Sequence, residues 1–419
     1  MTIIPLDHPD RHAIMGEVHA RPVEILPSEC RVRRLVLVLP GEPGAMTRAF
    51  DRFAQFRRTA GVDLQPVGSR QYSFETSTRA VTWEFHTEFV TITWRDSLSG
   101  QDNFPADIGL DAVGEGRLIG AVRIDVIADT TIPDRLIPGF SLASLCLSDV
   151  EDGKAQVVTD FIPDAEKFTR IEFAAGGLTD LRRSIMVRRL LEVETYRSVA
   201  LLGLPLARSA SPELRTMENE LSSVIDTLSA ADTPQNAKAV LDSLHQLSVR
   251  SGQMAERLGY RFAAGHAYGD VLKARLTALR ESGTQKGSTL SRYIENRVEP
   301  ALATCAAIEE RLRVLSRKIE RAIGLLNVRI GVDMQVQNAS LLDNIARTAR
   351  SQFLLQRTVE GLSTIAISYY ALGIVGYLLG GPLYHWNIDK TMALSILAPI
   401  VLLLVWLSVR SVRKKHEGH

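Results

Sequence analysis

Residues that could do chemistry gather at two places in this 419-residue chain, one near each end. Near the start, "HPDRHAIMGEVHARP" (8–22) crowds together His8, Asp10, Arg11, His12, Glu17, His19 and Arg21. Glu17 and His19 alternate as they would on a strand, or meet His12 across helical turns, so the segment could form a metal or phosphate site. The same residues would equally serve a salt-bridged segment docked on a sheet. Toward the other end, Glu360, Thr364 and Ser368 follow one another at intervals of four and share one helix face. In an oligomer Glu360 would become a ring of carboxylates beside Thr364, a mouth for cations. In a lone chain it is a solvated acid at a helix end. Asn387, in the polar gap beyond, is the remaining candidate polar residue there.

Other chemistries lack their motifs. "GEGRLIG" (114–120) has its third glycine misplaced for GxGxxG and leads into a strand, not into a helix N-terminus that could hold a pyrophosphate. "GTQKGST" (283–289) has phosphate-loop letters in the wrong order. There is no GxSxG, HExxH or paired cysteine, so an ordinary hydrolase or NTPase is not expected, and no catalytic, cofactor or metal residues are assigned. Cys30, Cys146 and Cys305 are odd in number and widely spaced, which suits reduced thiols. A net charge of +1 argues against a dedicated nucleic-acid binder.

The elements holding these residues follow from periodicity. Leu362–Tyr384 and Thr391–Val409 contain no Asp, Glu, Lys or Arg over 23 and 19 residues. A bilayer core of ~30 Å needs roughly 20 apolar residues, so a two-helix transmembrane hairpin is expected; a buried soluble hairpin is the alternative. Arg347, Arg350 and Arg357 precede the first span, and Arg410, Arg413, Lys414 and Lys415 follow the second. Basic flanks stay inside, which places both termini in the cytoplasm and the His385–Lys390 turn outside. The N-terminus lacks a basic region followed by an apolar one, so no signal peptide is expected.

The first half reads as α/β. Strands are expected at 31–41, 80–96 (a hairpin or long bent strand), 117–128, 144–150, 155–161 and 168–174, with a helix at 44–61. A helix at 178–205 should start at Thr179 or Asp180 and end at Gly203 and Pro205. Apolar steps at 214, 217, 221, 224 and 228 mark the next helix. The steps 237, 241, 244, 248, 251, 255, 258 and 262 mark another, with a seam that is small and partly polar. The stretch 281–288 reads as a loop. Ala301, Cys305, Ile308, Leu312, Leu315, Ile319, Ala322 and Leu326 hold an unbroken heptad seam, which would pack either within one subunit or between subunits. No proline interrupts this helix before the first span.

Several stretches resemble a bacterial family of predicted membrane-anchored proteins of unknown function. They are "HPDRHAIMGEVHARP", "VVTDFIPDAEKFTRIEF", "LLEVETYRSVALLGLPLAR" (190–208) and "QNASLLDNIARTARSQFLLQRTVEGLSTIAISYYALGIVGYLL" (337–379). The resemblance implies membrane anchoring and transfers no activity or catalytic residue. The architecture is also similar to CorA-type magnesium channels, with their cytoplasmic α/β domain, stalk helix, two spans and basic tail. Those channels carry Gly-Met-Asn after the first span, whereas "GYLLGGPLYHWN" does not.

The expected organisation is therefore an α/β cytoplasmic domain with a mixed sheet (1–177), a helical bundle (178–288), a long coiled-coil stalk helix (289–361), transmembrane helices at 362–384 and 391–409, and a basic tail (410–419). The expected function is that of a homo-oligomeric scaffold or sensor anchored in the bacterial inner membrane. Its partners would be the lipid bilayer and a cytoplasmic protein or an ion, not nucleic acid. The alternative is a CorA-like cation channel. Uncharged spans favour the anchor over an ion-coupled transporter.

Overall fold

Runs of β-branched and aliphatic residues build one mixed sheet in the first half of the chain. The structure, a computed structural model, describes residues 8–11, 14–15, 23–61, 70–100, 103–230, 234–385 and 389–416. It contains strands β1 (Cys30–Val38), β2 (Gln71–Glu75), β3 (Ala80–Phe85), β4 (Phe89–Asp96), β5 (Arg117–Ile127), β6 (Cys146–Val150), β7 (Ala155–Pro163), β8 (Thr169–Ala174) and β9 (Ser282–Gly283). Helices are α1 (Ala45–Thr59), α2 (Asp180–Ala200), α3 (Gly203–Ala230), α4 (Pro234–Ala278), α5 (Leu290–His385) and α6 (Lys390–His416). The chain divides into two units, Met1–Ile323 and Gly324–His419.

The sheet runs β2-β3-β4-β1-β5-β8-β7-β6-β9. Every pair is antiparallel except β5 and β8, which run parallel. Alternation along β1 sends Cys30, Val32, Arg34 and Val36 to one face and Arg31, Arg33, Leu35 and Leu37 to the other. On the first face Val32, Ile124, Phe173 and Val157 pack with Met186, Val187 and Leu190 of α2, Leu276 of α4 and Ile294 of α5. On the second, Leu35, Trp83, Ile92 and Trp94 pack with Phe53 of α1, whose ring stacks on Trp83 at 4.5 Å between centroids. Both faces are thus covered, which explains why most strands read as nearly continuous apolar runs.

The connection from β8 into α2 needs glycine. A Cβ on Gly176 would sit 2.0 Å from the Ala128 carbonyl oxygen, and one on Gly177 would sit 2.3 Å from that of Lys154. Nearby, buried Glu151 lies in the turn after β6 and pairs with Arg182, with Arg189 at 3.5 Å and with Arg280 at 2.8 Å. One carboxylate therefore ties the start of α2 to the end of α4.

Three expectations need correction. Gly203 and Pro205 do not end the helix that begins at Asp180; it stops at Ala200, and these two residues open α3. Proline is tolerated in a first turn, where its missing N–H would have no intrahelical partner. The buried face of α4 holds Val240, Leu247 and Met254 in place of residues 241, 248 and 255, so its seam is larger and more apolar than expected, with Ser251 its polar member. The 281–288 stretch contributes β9, whose Ser282 and Gly283 pair with Asp149 and Ser148 of β6. The heptad seam of α5 from Ala301 to Ala322 is buried inside this one chain. It lies beside α3 and α4: Arg311 donates to Glu218 at 2.6 Å, and Ser316 Oγ meets Ser251 Oγ at 3.4 Å. Of the two packings open to that seam, the structure has the one within a subunit.

Among the described residues, α5 and α6 carry two helical windows long and apolar enough to cross a membrane; 11% and 6% of these windows are buried, so their apolar side chains face outward. The helices meet where Gly376 lies against Leu394, 3.2 Å from the position of a Cβ.

Candidate functional site

A cleft opens on the α2 face of the sheet. Its floor comes from register: Val32 pairs with Arg95 and Arg34 with Thr93 across β1 and β4, while Thr82 and Ala80 of β3 pair with Thr93 and Arg95. Ser184, Val187, Arg188 and Leu191 of α2 form the wall, and Val23, Glu24 and Leu26 the lip. The lip is fixed to the wall. Ser184 Oγ accepts from Leu26 N at 2.8 Å and donates to the Asp180 carbonyl at 2.7 Å, while Arg183 Nη2 donates to the Leu26 carbonyl at 2.8 Å.

The polar groups of the cleft are arranged by depth. At the bottom, buried Arg34 donates from Nη2 to Glu84 Oε2 at 3.0 Å and from Nε to Thr93 Oγ1 at 2.8 Å, and Thr91 donates to the same Glu84 oxygen at 3.1 Å. Nearer the mouth, Arg95 Nε donates to Glu24 Oε1 at 3.0 Å and Arg188 Nε to Glu192 Oε1 at 3.1 Å. The lining thus holds three arginines against two glutamates, between apolar Val32, Val187 and Leu191. The cavity measures about 70 Å³, room for roughly five waters or one small organic molecule. An apolar wall with convergent charged groups is the usual composition of a small-ligand site.

None of the described residues singled out in the sequence lines this cleft. His8 and Arg11 are exposed, and His8 Nδ1 accepts from the Asp10 backbone N–H at 3.2 Å. Glu17, His19 and Arg21 lie outside the described residues, as does Asn387. Among the described residues no group of three metal-ligating side chains forms. Glu360 accepts from Gln356 Nε2 at 3.2 Å, one turn back on its own helix. Thr364 Oγ1 donates to the Glu360 carbonyl at 2.9 Å and Ser368 Oγ to the Thr364 carbonyl at 2.7 Å. Both hydroxyls are therefore satisfied by their own helix.

A family described as "Protein of unknown function (DUF3422)" matches residues 6–416. The chain belongs to that family. No curated protein matches this DUF3422 chain.

Sequence reasoning missed the cleft because its residues come from six separate segments, from Val23 to Leu191. One sign was available: Arg34 sits in the "VRRLVLV" strand at a position whose neighbours in the alternation, Val32 and Val36, are apolar. An arginine on a buried strand face needs a partner, and partners there make a polar pocket.

Proposed function

We propose that this DUF3422 protein is a sensor anchored in the bacterial inner membrane, whose cytoplasmic α/β domain binds a small anionic molecule in the cleft between β1, β4 and α2. The observation carrying the anchor is the outward-facing apolar surface of two successive helices in the second unit. In water such surface is costly; in lipid it is at home. Arg410 lies over the Trp406 ring at 4.8 Å, a pairing suited to the membrane interface at the end of the second span. Exposed apolar residues such as Val328, Val332, Leu341 and Ile345 on α5 supply the surface for self-association, since the heptad seam is already filled within the chain.

The internal hydrogen bonds of Thr364 and Ser368 favour the anchor over the CorA-like channel, because neither hydroxyl needs a water-filled conduit. Two measurements test the proposal. Under alkaline carbonate extraction the full chain should stay with the membranes; release into the supernatant overturns the anchor. Small carboxylates should raise the melting temperature of wild type, and Ala80→Trp, which fills the cleft floor, should abolish the rise. An unchanged response in that variant removes the cleft from the proposal.

A further inference from the structure

Two strands repeat one pattern, Arg123-Ile124-Asp125 in β5 and Arg170-Ile171-Glu172 in β8. They pair in parallel and in register, Arg123 opposite Arg170 and Asp125 opposite Glu172. Strand β1 extends both rows, with Arg33 opposite Arg123 and Arg31 opposite Asp125. Three arginines stand abreast in one row, and Arg31, Asp125 and Glu172 in the next. This is the sheet face of Leu35 and Leu37, opposite the cleft. Like charges directly opposite one another destabilise a sheet, so each guanidinium in the row needs acceptors.

Two of the four arginines have them. Arg33 donates to Asn103 Oδ1 at 2.7 Å, Asp96 Oδ2 at 2.8 Å and the Gly100 carbonyl at 2.8 Å. Arg31 takes both oxygens of Asp125, at 2.6 and 2.8 Å, and shares the Gly100 carbonyl. The other oxygen of Asp96 pairs with Arg79 at 2.8 Å. Asp164 Oδ1 accepts from the backbone N–H groups of Glu166 and Phe168. The acceptors left are Asp164 Oδ2 and the Glu172 carboxylate, at 3.5 Å and 3.8 Å from Arg123 and Arg170. Arg123 comes no nearer to a carboxylate than 3.5 Å (Asp164) and 3.9 Å (Asp125), and its buried Nε has no hydrogen-bond partner. Arg170 is 3.8 Å from Glu172 and lies over the Phe140 ring at 4.0 Å; its buried Nε is likewise unpaired. These two side chains are 15% and 27% exposed, although their Nε atoms are buried.

We infer that Arg123 and Arg170 together bind a tetrahedral oxyanion, as inorganic phosphate or as the phosphate of a monoester, and that Glu172 takes up a proton from solvent as the anion enters. Arg123 and Arg170, paired across β5 and β8, offer the donors that such an anion accepts. Glu172 faces Asp125 and Arg123 of β5, Arg31 of β1 and Arg170 on its own strand, with Val158 opposite in β7. Burial, reinforced by Asp125, pushes its carboxyl up to about 7 against the pull of the arginines. A bound anion adds negative charge beside it and favours the neutral acid, which can also donate to the ligand.

Calorimetric titration of the full chain in detergent, in an anion-poor buffer at fixed chloride, tests this. Sulfate is the main probe because it does not titrate near neutrality. Wild type should bind it, and Arg123→Gln and Arg170→Gln should each weaken binding at least tenfold, while Arg215→Gln on the exposed face of α3 leaves it unchanged. Wild-type affinity should fall from pH 6 to pH 8, approaching tenfold per pH unit above the Glu172 midpoint, and Glu172→Gln should flatten that slope. Inorganic phosphate and glycerol phosphate are then compared: tighter binding of the latter assigns an ester, equal binding the free anion. Absence of sulfate and phosphate binding to wild type overturns the inference whatever the variants do. Equal loss in Arg215→Gln, or a pH slope that survives Glu172→Gln, also overturns it.

Discussion

Glu172 is a carboxyl whose environment opposes its charge, and that has a consequence for stability apart from any ligand. Burial raises its midpoint from 4.5 to about 7. The folded state therefore holds a proton that the unfolded state has released between these values. The stabilisation is fully present below pH 4.5 and is lost as pH rises through about 7. A shift of this size corresponds to about 3 kcal/mol as an upper figure. Glu172→Gln, which keeps the shape without the charge, should melt higher than wild type at pH 8, with the gap closing by pH 5. Equal melting curves at pH 8 would show that the arginines already compensate the charge. The cysteines make the converse case. Burial pushes the Cys30 thiol up to about 11 and that of Cys146 to about 12, and raises Cys305 as well. At pH 7.5 the native protein should resist thiol reagents that label all three sites once it is unfolded; rapid labelling of Cys146 would mean that the β6–β7 edge opens. The sequence showed only that these thiols are unpaired, since their burial depends on strands far apart in the chain.

At the scale of elements, legibility followed chemistry. β1, β5, β7 and β8 were readable because long β-branched runs have few other uses, and the bend in 80–96 resolved into the β3–β4 hairpin. β2 was not readable: "QYSFE" is five residues long and acquires its identity from Trp83 and Val81 across the ladder. The α4 seam slipped by one position at three points because heptad counting was extended through alanines and serines, which carry little information about facing. The stalk seam was read correctly as a stripe, yet a stripe does not say what covers it. The structure covers it with α3 and α4, and this fixes the outcome of a mutation. Leu312→Asp with Leu315→Asp places charges on side chains that are 4% and 2% exposed, at a cost of several kcal/mol. The cooperative melt of the first unit should collapse or shift far downward, not merely the oligomer. A smaller species with an unchanged melt would place the seam between subunits after all. Glu151→Ala, which leaves three arginines facing one another at the junction of α2 and α4, should cost about 3 kcal/mol by the same reasoning. Chemical denaturation of that variant provides the measurement.

At the scale of the whole molecule, two apolar helices and their basic flanks decide what can be asked. Reporter fusions at residues 1 and 419 should both read as cytoplasmic and an insertion at Asn387 as periplasmic; a periplasmic signal from either terminus would reverse the proposed orientation. Whether the hairpin also conducts depends on what its polar groups need. A conduit would have to hydrate Thr364, Ser368 and a ring of Glu360, but each hydroxyl already donates within its own helix, and Gly376 brings α5 against α6 of the same chain. On that basis the span requires no water-filled neighbour. In reconstituted vesicles, wild type, Glu360→Lys and Leu379→Ser should therefore all show background cation flux. A pore would respond differently to each change. Reversing the charge at its mouth would suppress cation entry, and a hydroxyl in its narrow apolar stretch would ease wetting and raise flux. Flux through wild type that disappears in Glu360→Lys and grows in Leu379→Ser would establish the channel and displace the anchored sensor.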